Sequence, residues 1–310
     1  MKKPTHKIYR TTNWPAYNRA LMSRGNIAIW FDPATQWYAP SKGKQGRNQT
    51  YSDAAIQCCL MIKSLFRLSL RMVTGFVQSL IKLCGLNWIA PDYTTLCRRQ
   101  KHIDIVISYQ KSSDGLHLLM DSTGMKFLGE GEWKRKKHGA EYRRQWRKLH
   151  IGIDAKTLQI RAIQLTTNNV SDSQVLGDLL NQIPQDEPID SVYTDGAYDT
   201  KQCRQVIADR QAHGVIPPRK NAKPWKDTKS SSLERNELLR TVKRLGRTLW
   251  EKWSGYHRRS LVETKMHCIK LLGDKLMARS FPSQVNEIHA RVAVLNRFTE
   301  LGRPLTQVTP

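Results

Sequence analysis

Acidic residues are scarce in this sequence, where 26 Asp and Glu stand against 51 Lys and Arg and give a formal net charge of +25. This excess of positive charge implies a polyanionic partner, either nucleic acid or an anionic membrane surface. Long apolar runs are also lacking, and none approaches the roughly 18 residues that span a bilayer. The basic N-terminus has no apolar segment behind it, so no signal peptide is expected. We therefore expect a cytoplasmic protein that binds nucleic acid and has no membrane partner.

Cysteine is sparse as well, and its spacing excludes the usual zinc motifs. The six cysteines form no Cys-x-x-Cys pair and have no histidine at zinc-binding spacing. Most of them lie in stretches with apolar periodicity, which predicts reduced cysteines in the hydrophobic core. Reduced cysteines fit a reducing compartment and again favour the cytoplasm.

The N-terminal third predicts a basic arm followed by a helical region that binds DNA. Residues 1–50 lack lasting periodicity, which predicts an extended basic arm with short ordered patches; a tail that packs on its own protein is an equally favoured alternative. Residues 51–105 have helical spacing of apolar residues and predict three short helices, each begun by a Ser or Asp cap and the second closed by a glycine. The third helix offers Thr95, Arg98 and Arg99 to a DNA groove, as in a helix-turn-helix variant. A plain helical bundle used for oligomerisation is the alternative.

Residues 106–300 alternate short strands and helices, which predicts an α/β domain. Two apolar runs of strand character end at Asp121 and Asp195. Between them, two alternating runs are separated by one turn and predict an antiparallel hairpin. The order of strands and helices predicts a mixed sheet with helices packed on its faces, and residues 301–310 are left as a C-terminal tail.

A late segment, residues 255–273, carries a narrow stripe of polar and charged side chains. It has no Gly or Pro in its interior and a glycine at its end, which predicts one helix of about four turns. At about 100° per residue, Tyr256, Arg259, Glu263 and Lys270 share one face. One carboxylate among bases suits a site that binds a divalent metal with the acid and phosphate oxygens with the bases. A helix with an ordinary i,i+4 salt bridge is the alternative.

The spacing Tyr-(2)-Arg-(3)-Glu-(6)-Lys of this helix resembles the C-terminal signature of bacterial insertion-sequence transposases of the DDE class. Asp121 within Leu-Met-Asp-Ser-Thr-Gly and Asp195 within Thr-Asp-Gly-Ala-Tyr-Asp resemble the first and second acidic motifs of that family. The resemblance covers nearly the whole chain, from the helical N-terminal region to about Asn296. It implies a ribonuclease H-like catalytic domain of mixed sheet and flanking helices, preceded by an all-α, helix-turn-helix-like DNA-binding region.

The resemblance also implies the catalytic residues and the cofactor. Asp121, Asp195 and Glu263 are expected to be the catalytic acids and to bind two Mg²⁺ ions, for which Mn²⁺ can substitute. Two-metal cleavage of a phosphodiester needs acids that converge from different elements, and two strand-end aspartates with one helix glutamate meet that need. The expected reaction is hydrolysis of a DNA strand to free a 3′-hydroxyl, followed by attack of that hydroxyl on target DNA.

The expected partners are double-stranded DNA, as terminal inverted repeats and as target, and further copies of the protein in a dimer or larger complex at the nucleoid. Arg259 and Lys270 are expected to contact phosphates near the cut, and Tyr256 to position that strand. The basic residues 217–254 form an insertion that lies against the DNA end in the family. Within this insertion we interpret Trp250 and Trp253 as core anchors and leave Trp225 open to stacking on an unpaired base.

Two other functions compete with a transposase. A structure-selective nuclease would keep the metal site without strand transfer, but it has no use for both a helical DNA-binding region and a basic insertion. A non-catalytic DNA-binding derivative of a transposase would have lost at least one acid, whereas all three candidate acids are present. We therefore favour the transposase.

Overall fold

The computed structural model describes residues 9–41, 43, 48–112, 114–129, 131–139, 145–226 and 229–308. The chain divides into two compact units. The helical unit comprises Met1–Ser108 and Ala293–Pro310, and the α/β unit comprises Tyr109–Val292. In the part of the chain that the structure describes, no helix is both long and apolar enough to span a membrane.

Helices predominate over residues 14–99 and 230–301, and strands are interspersed with helices between these two regions. The strands of the described residues are β1 Tyr9–Thr11, β2 Leu116–Phe127, β3 Arg147–Asp154, β4 Ile160–Thr167, β5 Ile189–Tyr193, β6 His213–Val215, β7 Lys275–Leu276 and β8 Thr306–Val308. The helices are α1 Trp14–Arg24, α2 Asp53–Phe66, α3 Leu70–Leu83, α4 Tyr93–Arg99, α5 Glu132–His138, α6 Asp172–Asn181, α7 Lys201–Asp209, α8 Ser230–Leu245, α9 Arg247–Trp253, α10 Ser260–Leu271 and α11 Phe281–Leu301.

In the helical unit, α2, α3 and α4 are the three helices that the sequence predicts. Each begins behind a polar residue whose side chain accepts a hydrogen bond from a backbone N–H of the first turn, and these residues are Ser52, Ser69 and Asp92. Such caps satisfy N–H groups that have no partner within the helix. α3 ends just before Gly85, which has a positive φ, as the sequence also predicts.

Where the structure describes residues 1–50, they form the alternative to an extended arm, a segment that packs on its own protein. Helix α1 lies in this region, and Trp30, Phe31 and Trp37 behind it are buried. The ring of Trp30 packs edge-on against that of Phe298 in α11, with 5.4 Å between centroids. At the C-terminal end, β8 pairs antiparallel with β1. Burial of large aromatic side chains orders this segment even though they lack the regular spacing that predicts a helix.

The cysteines are only partly in the core. All six are free thiols; Cys58, Cys59 and Cys203 are buried, as predicted, whereas Cys84 and Cys97 are exposed. Cys84 follows the last residue of α3, and Cys97 lies on the exposed side of α4 next to the buried Leu96.

The α/β unit is built on a six-stranded mixed sheet. Its strand order is β4-β3-β2-β5-β6, and β7 pairs with the far end of β2. β3 is antiparallel to both of its neighbours, whereas β5 and β6 run parallel to β2. The predicted hairpin is formed by β3 and β4, with Ile151 opposite Ile163. The prediction of a ribonuclease H-like mixed sheet flanked by helices is confirmed.

Helices cover both faces of this sheet, because alternate strand residues point to opposite sides. On one face, α6 and α7 contribute to a buried cluster with Leu116, Leu118 and Met120 of β2. On the other face, α10 packs against β2 and β3. The residues of α10 that are buried are Val262, Met266 and Ile269. The opposite apolar flank of α10, which begins with Leu261, is more exposed.

The basic insertion forms α8 and α9 and is tied to the unit by one buried carboxylate. Asp199 accepts hydrogen bonds from Arg204 of α7 and from Arg235 of α8, at 3.0 Å in each case. Two guanidinium groups on one buried carboxylate satisfy charges that would otherwise be costly to enclose. The network therefore fixes α8 to the loop that follows β5.

The three tryptophans of the insertion differ in their environments. Trp250 is buried, as predicted, but Trp253 is 79% exposed, so its interpretation as a core anchor is wrong. Both lie on the short helix α9, which buries only one side. Trp225 is half-buried, and the guanidinium of Arg235 lies 4.5 Å from its ring centroid. Its backbone N–H and C=O both bond to the side chain of Asn236, at 2.8 Å each.

Candidate active site

Asp121 lies within β2 and not at its end. The sequence predicts that the strand stops there, but β2 continues to Phe127 because its antiparallel pairing with β3 extends from Leu118 to Met125. The parallel pairing with β5 stops two residues earlier, at Leu119. Asp121 is therefore placed where the sheet opens on one side of β2, and its side chain is 16% exposed.

The Asp121 carboxylate is held by two donors, one on each oxygen. The backbone N–H of Ser122 donates to Oδ1 at 2.8 Å, and the guanidinium of Arg259 donates to Oδ2. Burial raises the pKa of Asp121, and the negative charge of Asp195 raises it further. The Ser122 N–H and Arg259 lower this pKa, but the net shift is upward. The two aspartates are thus close enough to interact electrostatically.

Asp195 follows β5 by two residues, as the sequence predicts, and begins a turn of 3-10 helix over Gly196–Tyr198. Its Oδ1 accepts a hydrogen bond from the N–H of Ala197 at 2.9 Å. The side chain of Arg219 donates to the carbonyl oxygens of Gly196 and Ala197, at 3.0 Å and 2.9 Å. The backbone around the second acid is therefore held from outside by an arginine that the sequence did not single out.

The segment from residue 255 to residue 273 is helical, but it is not one regular helix. Tyr256–Arg259 is a 3-10 turn that follows Gly255 in a left-handed conformation, and α10 begins only at Ser260. The tighter turn shifts the first residues of the stripe around the axis. Arg259 and Glu263 nevertheless remain neighbours, with 2.9 Å between Nη2 and Oε1.

Arg259 connects two of the three candidate acids. One terminal nitrogen of its guanidinium bonds to Asp121 on the sheet, and the other bonds to Glu263 on α10. Burial opposes the positive charge, but Asp121, Tyr256 and Glu263 together hold the pKa of Arg259 above its ordinary value. The helix thus has the i,i+4 salt bridge of the alternative interpretation, and the same arginine also reaches the strand aspartate.

Tyr256 and Lys270 lie at the two ends of the stripe. The ring of Tyr256 packs on Trp250, with 5.6 Å between centroids, and burial raises the pKa of its hydroxyl. The ammonium of Lys270 donates to the hydroxyl of Thr123, which follows Asp121 by two residues on the same face of β2. Both residues therefore belong to the neighbourhood of the candidate acids.

The structure does not form a finished metal site from the three acids. Among the described residues, no three His, Cys, Asp or Glu side chains are grouped closely enough to hold a metal ion. The chemistry of the donors nevertheless fits a hard divalent cation, because all three side chains are carboxylates and an internal cation, Arg259, already lies between Asp121 and Glu263. Glu263 is 58% exposed, so its side chain has room to reorient.

Tyr198 is a member of this neighbourhood that the sequence did not single out. Its side chain is fully buried, and its hydroxyl has no hydrogen-bond partner among the described residues. Burial raises the pKa of this hydroxyl strongly, and the charges of Asp172, Asp121 and Asp195 contribute. Its position in the Asp-Gly-Ala-Tyr-Asp turn after a strand is the sequence feature that could have predicted its place near the acids. A tyrosine in a turn, however, is seldom buried.

The candidate DNA-binding residues of the helical unit differ in their exposure and in the bonds that their side chains make. Arg98 is exposed on α4, and Thr95 is half-buried. Arg99 is half-buried because its guanidinium pairs with Asp53 at the start of α2 and donates to the carbonyl of Tyr51 at 2.9 Å. Arg99 therefore joins α4 to α2, whereas Arg98 is available to a partner.

Comparison with known proteins identifies the family. A model described as a transposase DDE domain matches residues 112–297, and a second model with the same description matches residues 22–130. A chain in the cryo-electron microscopy structure of the simian T-cell lymphotropic virus intasome in complex with PP2A regulatory subunit B56 gamma is 14% identical. That match covers 70% of this chain and 74% of that chain with a TM-score of 0.23. The match over residues 112–297 spans more than half of the chain, which therefore belongs to the transposase DDE domain family.

Proposed function

We propose that this protein is the transposase of a bacterial insertion sequence, which binds the terminal inverted repeats of its element and cleaves and joins DNA strands. The observation that carries the proposal is that Arg259 bonds to two of the candidate acids, Asp121 on β2 and Glu263 on α10. The third, Asp195, follows β5, the strand that runs parallel to β2 beside it. The net charge of +25 fits a DNA partner at the nucleoid.

Asp121, Asp195 and Glu263 would hold two Mg²⁺ ions, or Mn²⁺ in their place. When bound, such a pair of ions activates the attacking oxygen and stabilises the leaving oxygen of a phosphodiester. The protein contributes rigid placement: β3 fixes the strand that carries Asp121, and the Ser122 N–H orients its carboxylate. The 3-10 turn and Arg219 fix the backbone beside Asp195.

The basic residues of the stripe are proposed to bind DNA near the cut. Lys270 is held on the same face as Asp121 by Thr123, and Tyr256 is held by Trp250. An ammonium and a phenol fixed beside the acids can orient a phosphate and the sugar-phosphate strand next to it. Arg259 can serve the same purpose once it leaves the carboxylates.

The helical unit is proposed to read the DNA ends, with α4 as the helix that enters the groove. The exposed Arg98 and the half-buried Thr95 lie on that helix. We retain the division of labour predicted from the sequence, in which residues 51–105 bind DNA and residues 106–300 catalyse. Pairing of two element ends further requires a homodimer or a larger assembly.

The test is cleavage of a labelled DNA end by single isosteric variants. Asp121→Asn, Asp195→Asn and Glu263→Gln are each expected to abolish Mg²⁺-dependent cleavage while binding of the end persists. Asp190→Asn, in a half-exposed residue at the start of β5, is the matched control and should cleave normally. Near-normal cleavage by any of the three variants would refute the assignment of that residue.

A second readout separates the transposase from a nuclease. The products of wild-type cleavage are incubated with supercoiled target DNA, and joined molecules are counted. Cleavage with joining supports a transposase, whereas cleavage without joining under any divalent metal would indicate a structure-selective nuclease. Short inverted repeats in the DNA that flanks the reading frame would support the transposase independently.

A further inference from the structure

Arg259 is placed where a metal ion would have to bind. Its two terminal nitrogens bond to Asp121 Oδ2 and to Glu263 Oε1, so one guanidinium uses an oxygen from each of two candidate metal ligands. We propose that Arg259 is the resident cation of the candidate active site and that its guanidinium and a divalent metal ion exclude each other between Asp121 and Glu263. The inference rests on the proposed function for the identity of the ligands.

Both oxygens of the Asp121 carboxylate already accept a hydrogen bond while Arg259 is bound. Oδ1 accepts the N–H of Ser122 at 2.8 Å, and Oδ2 accepts Arg259. The Ser122 bond belongs to the backbone of the strand and moves only with β2. The Arg259 bond is made by a side chain at the beginning of α10, so it is the one that can be exchanged. A metal ion at Asp121 therefore competes with Arg259 at Oδ2.

The Arg259 guanidinium is largely enclosed by protein, which strengthens its repulsion of a metal ion. The Arg259 side chain is 19% exposed, and the ring centroid of Tyr256 lies 5.9 Å from its central carbon. Trp250 packs behind Tyr256. Two cations in one partly buried space repel each other more strongly than in water, because the surrounding dielectric constant is lower.

This exclusion couples the metal to DNA. A guanidinium released from two carboxylates is suited to a bidentate contact with phosphate, which offers oxygens of similar geometry. If a DNA phosphate binds Arg259 and removes it from the carboxylates, the affinity of the protein for the metal ion must rise. By linkage, metal binding must raise the affinity of the protein for that phosphate by the same factor. The metal-free protein would thus keep its carboxylates neutralised until both partners arrive.

The test measures metal binding by the full chain without DNA. Free Mn²⁺ is followed by electron paramagnetic resonance as protein is titrated with MnCl₂. Arg259→Ala is expected to bind Mn²⁺ about tenfold more tightly than wild type, within the usual range for coupled sites. Arg258→Ala removes the same charge from the adjacent, exposed arginine and should stay within about twofold of wild type. Unchanged or weaker binding by Arg259→Ala, or no binding by any form, would overturn the inference.

A second measurement uses the wild-type protein in case Arg259→Ala fails to fold. Phenylglyoxal modifies accessible arginines, and peptide mass spectrometry gives the rate at each position. Mg²⁺ should accelerate modification of Arg259 severalfold and leave that of Arg258 unchanged. An Arg259 rate that Mg²⁺ leaves unchanged or lowers would contradict the exclusion. Failure of the proposed function is separate, because it would appear as absent cleavage of DNA by wild type whatever these rates are.

Discussion

The ammonium of Lys270 donates a hydrogen bond to the hydroxyl of Thr123, with 2.8 Å between Nζ and Oγ1. Thr123 follows Asp121 by two residues on β2, so the two side chains share the face that α10 covers. Arg259 makes the corresponding bond to Asp121 near the other end of α10. Two basic residues thus attach one late helix to the strand that carries the first acid.

We predict that Thr123→Val weakens this attachment and that Thr123→Ser preserves it. Valine keeps the shape of threonine but removes the acceptor, and a hydrogen bond to a charged group contributes about 1.5–3 kcal/mol. Because the site is only partly buried, we expect Thr123→Val to lower the free energy of unfolding by about 1 kcal/mol. DNA cleavage should fall more than in Thr123→Ser, as measured by urea denaturation and by an end-cleavage assay. Equal behaviour of the two variants would show that the bond positions nothing.

Removal of the Asp199 carboxylate should destabilise the protein strongly. Asp199→Ala leaves the guanidinium groups of Arg204 and Arg235 buried without their shared partner, and breaking a buried ion pair costs about 3–5 kcal/mol. The control is Asp186→Ala, which removes an exposed aspartate paired with Lys111 at the surface. Chemical denaturation should show a large loss for the first variant and no resolvable loss for the second.

Much of the fold could be predicted because local signals and tertiary packing agree. Ser52, Ser69 and Asp92 cap helices where the sequence places the caps, and the β3–β4 hairpin has the expected pairing. The packing of residues 1–50, where the structure describes them, could not be predicted from local patterns. It comes from aromatic side chains that contact residues distant in sequence. Such contacts have no period for a local pattern to detect.

Of the two carboxylate bonds that Arg259 makes in the candidate site, only one could be predicted from the sequence. The spacing of Arg259 and Glu263 predicts their salt bridge, since i and i+4 residues are neighbours on a helix. The bond from Arg259 to Asp121 joins residues that lie 138 positions apart, and only the packing of α10 on β2 creates it. The continuation of β2 past Asp121 depends in the same way on β3, its neighbour in the sheet.

Arg98 and Arg99 were both predicted to bind DNA, but the structure leads us to expect that Arg98 contributes to DNA binding and Arg99 mainly to stability. Arg98→Ala removes an exposed charge and is expected to weaken binding to the element's ends without lowering the melting temperature. If Arg98 contacts one phosphate, the slope of log affinity against log salt should fall by about 0.9. Electrophoretic mobility shifts at several salt concentrations give both quantities, and an unchanged slope would indicate that another segment contacts the DNA.

Arg99→Ala is expected to act on stability first. Its guanidinium bonds to Asp53 and to the carbonyl of Tyr51, so its loss detaches α4 from the start of α2. We expect a loss of about 1–2 kcal/mol, typical of hydrogen bonds to a charged group at a partly exposed position. A melting temperature equal to that of wild type, together with weaker DNA binding, would instead assign Arg99 to the interface.

His150 gives the protein a specific sensitivity to acid. The ring is fully buried on β3, with Nε2 3.0 Å from the hydroxyl of Thr166 and Nδ1 3.4 Å from Oδ1 of Asp172. Burial lowers the pKa of His150 to about 4, with a further lowering from Lys148 and an opposing effect of Asp172. The unfolded chain therefore takes up this proton at a higher pH than the folded protein does.

It follows that folding stability should fall as the pH is lowered from about 6.5 towards 4, because only the unfolded state binds the proton across that interval. At pH 5 the loss from this residue is about 2 kcal/mol, since each unit of pKa difference corresponds to about 1.4 kcal/mol. His150→Gln keeps a hydrogen-bonding group near Thr166 but does not titrate, so its stability should depend less on pH across the same range. Urea denaturation of both proteins at pH 7 and pH 5 measures the difference. Parallel losses in the two proteins would mean that carboxylates, and not His150, dominate the acid sensitivity.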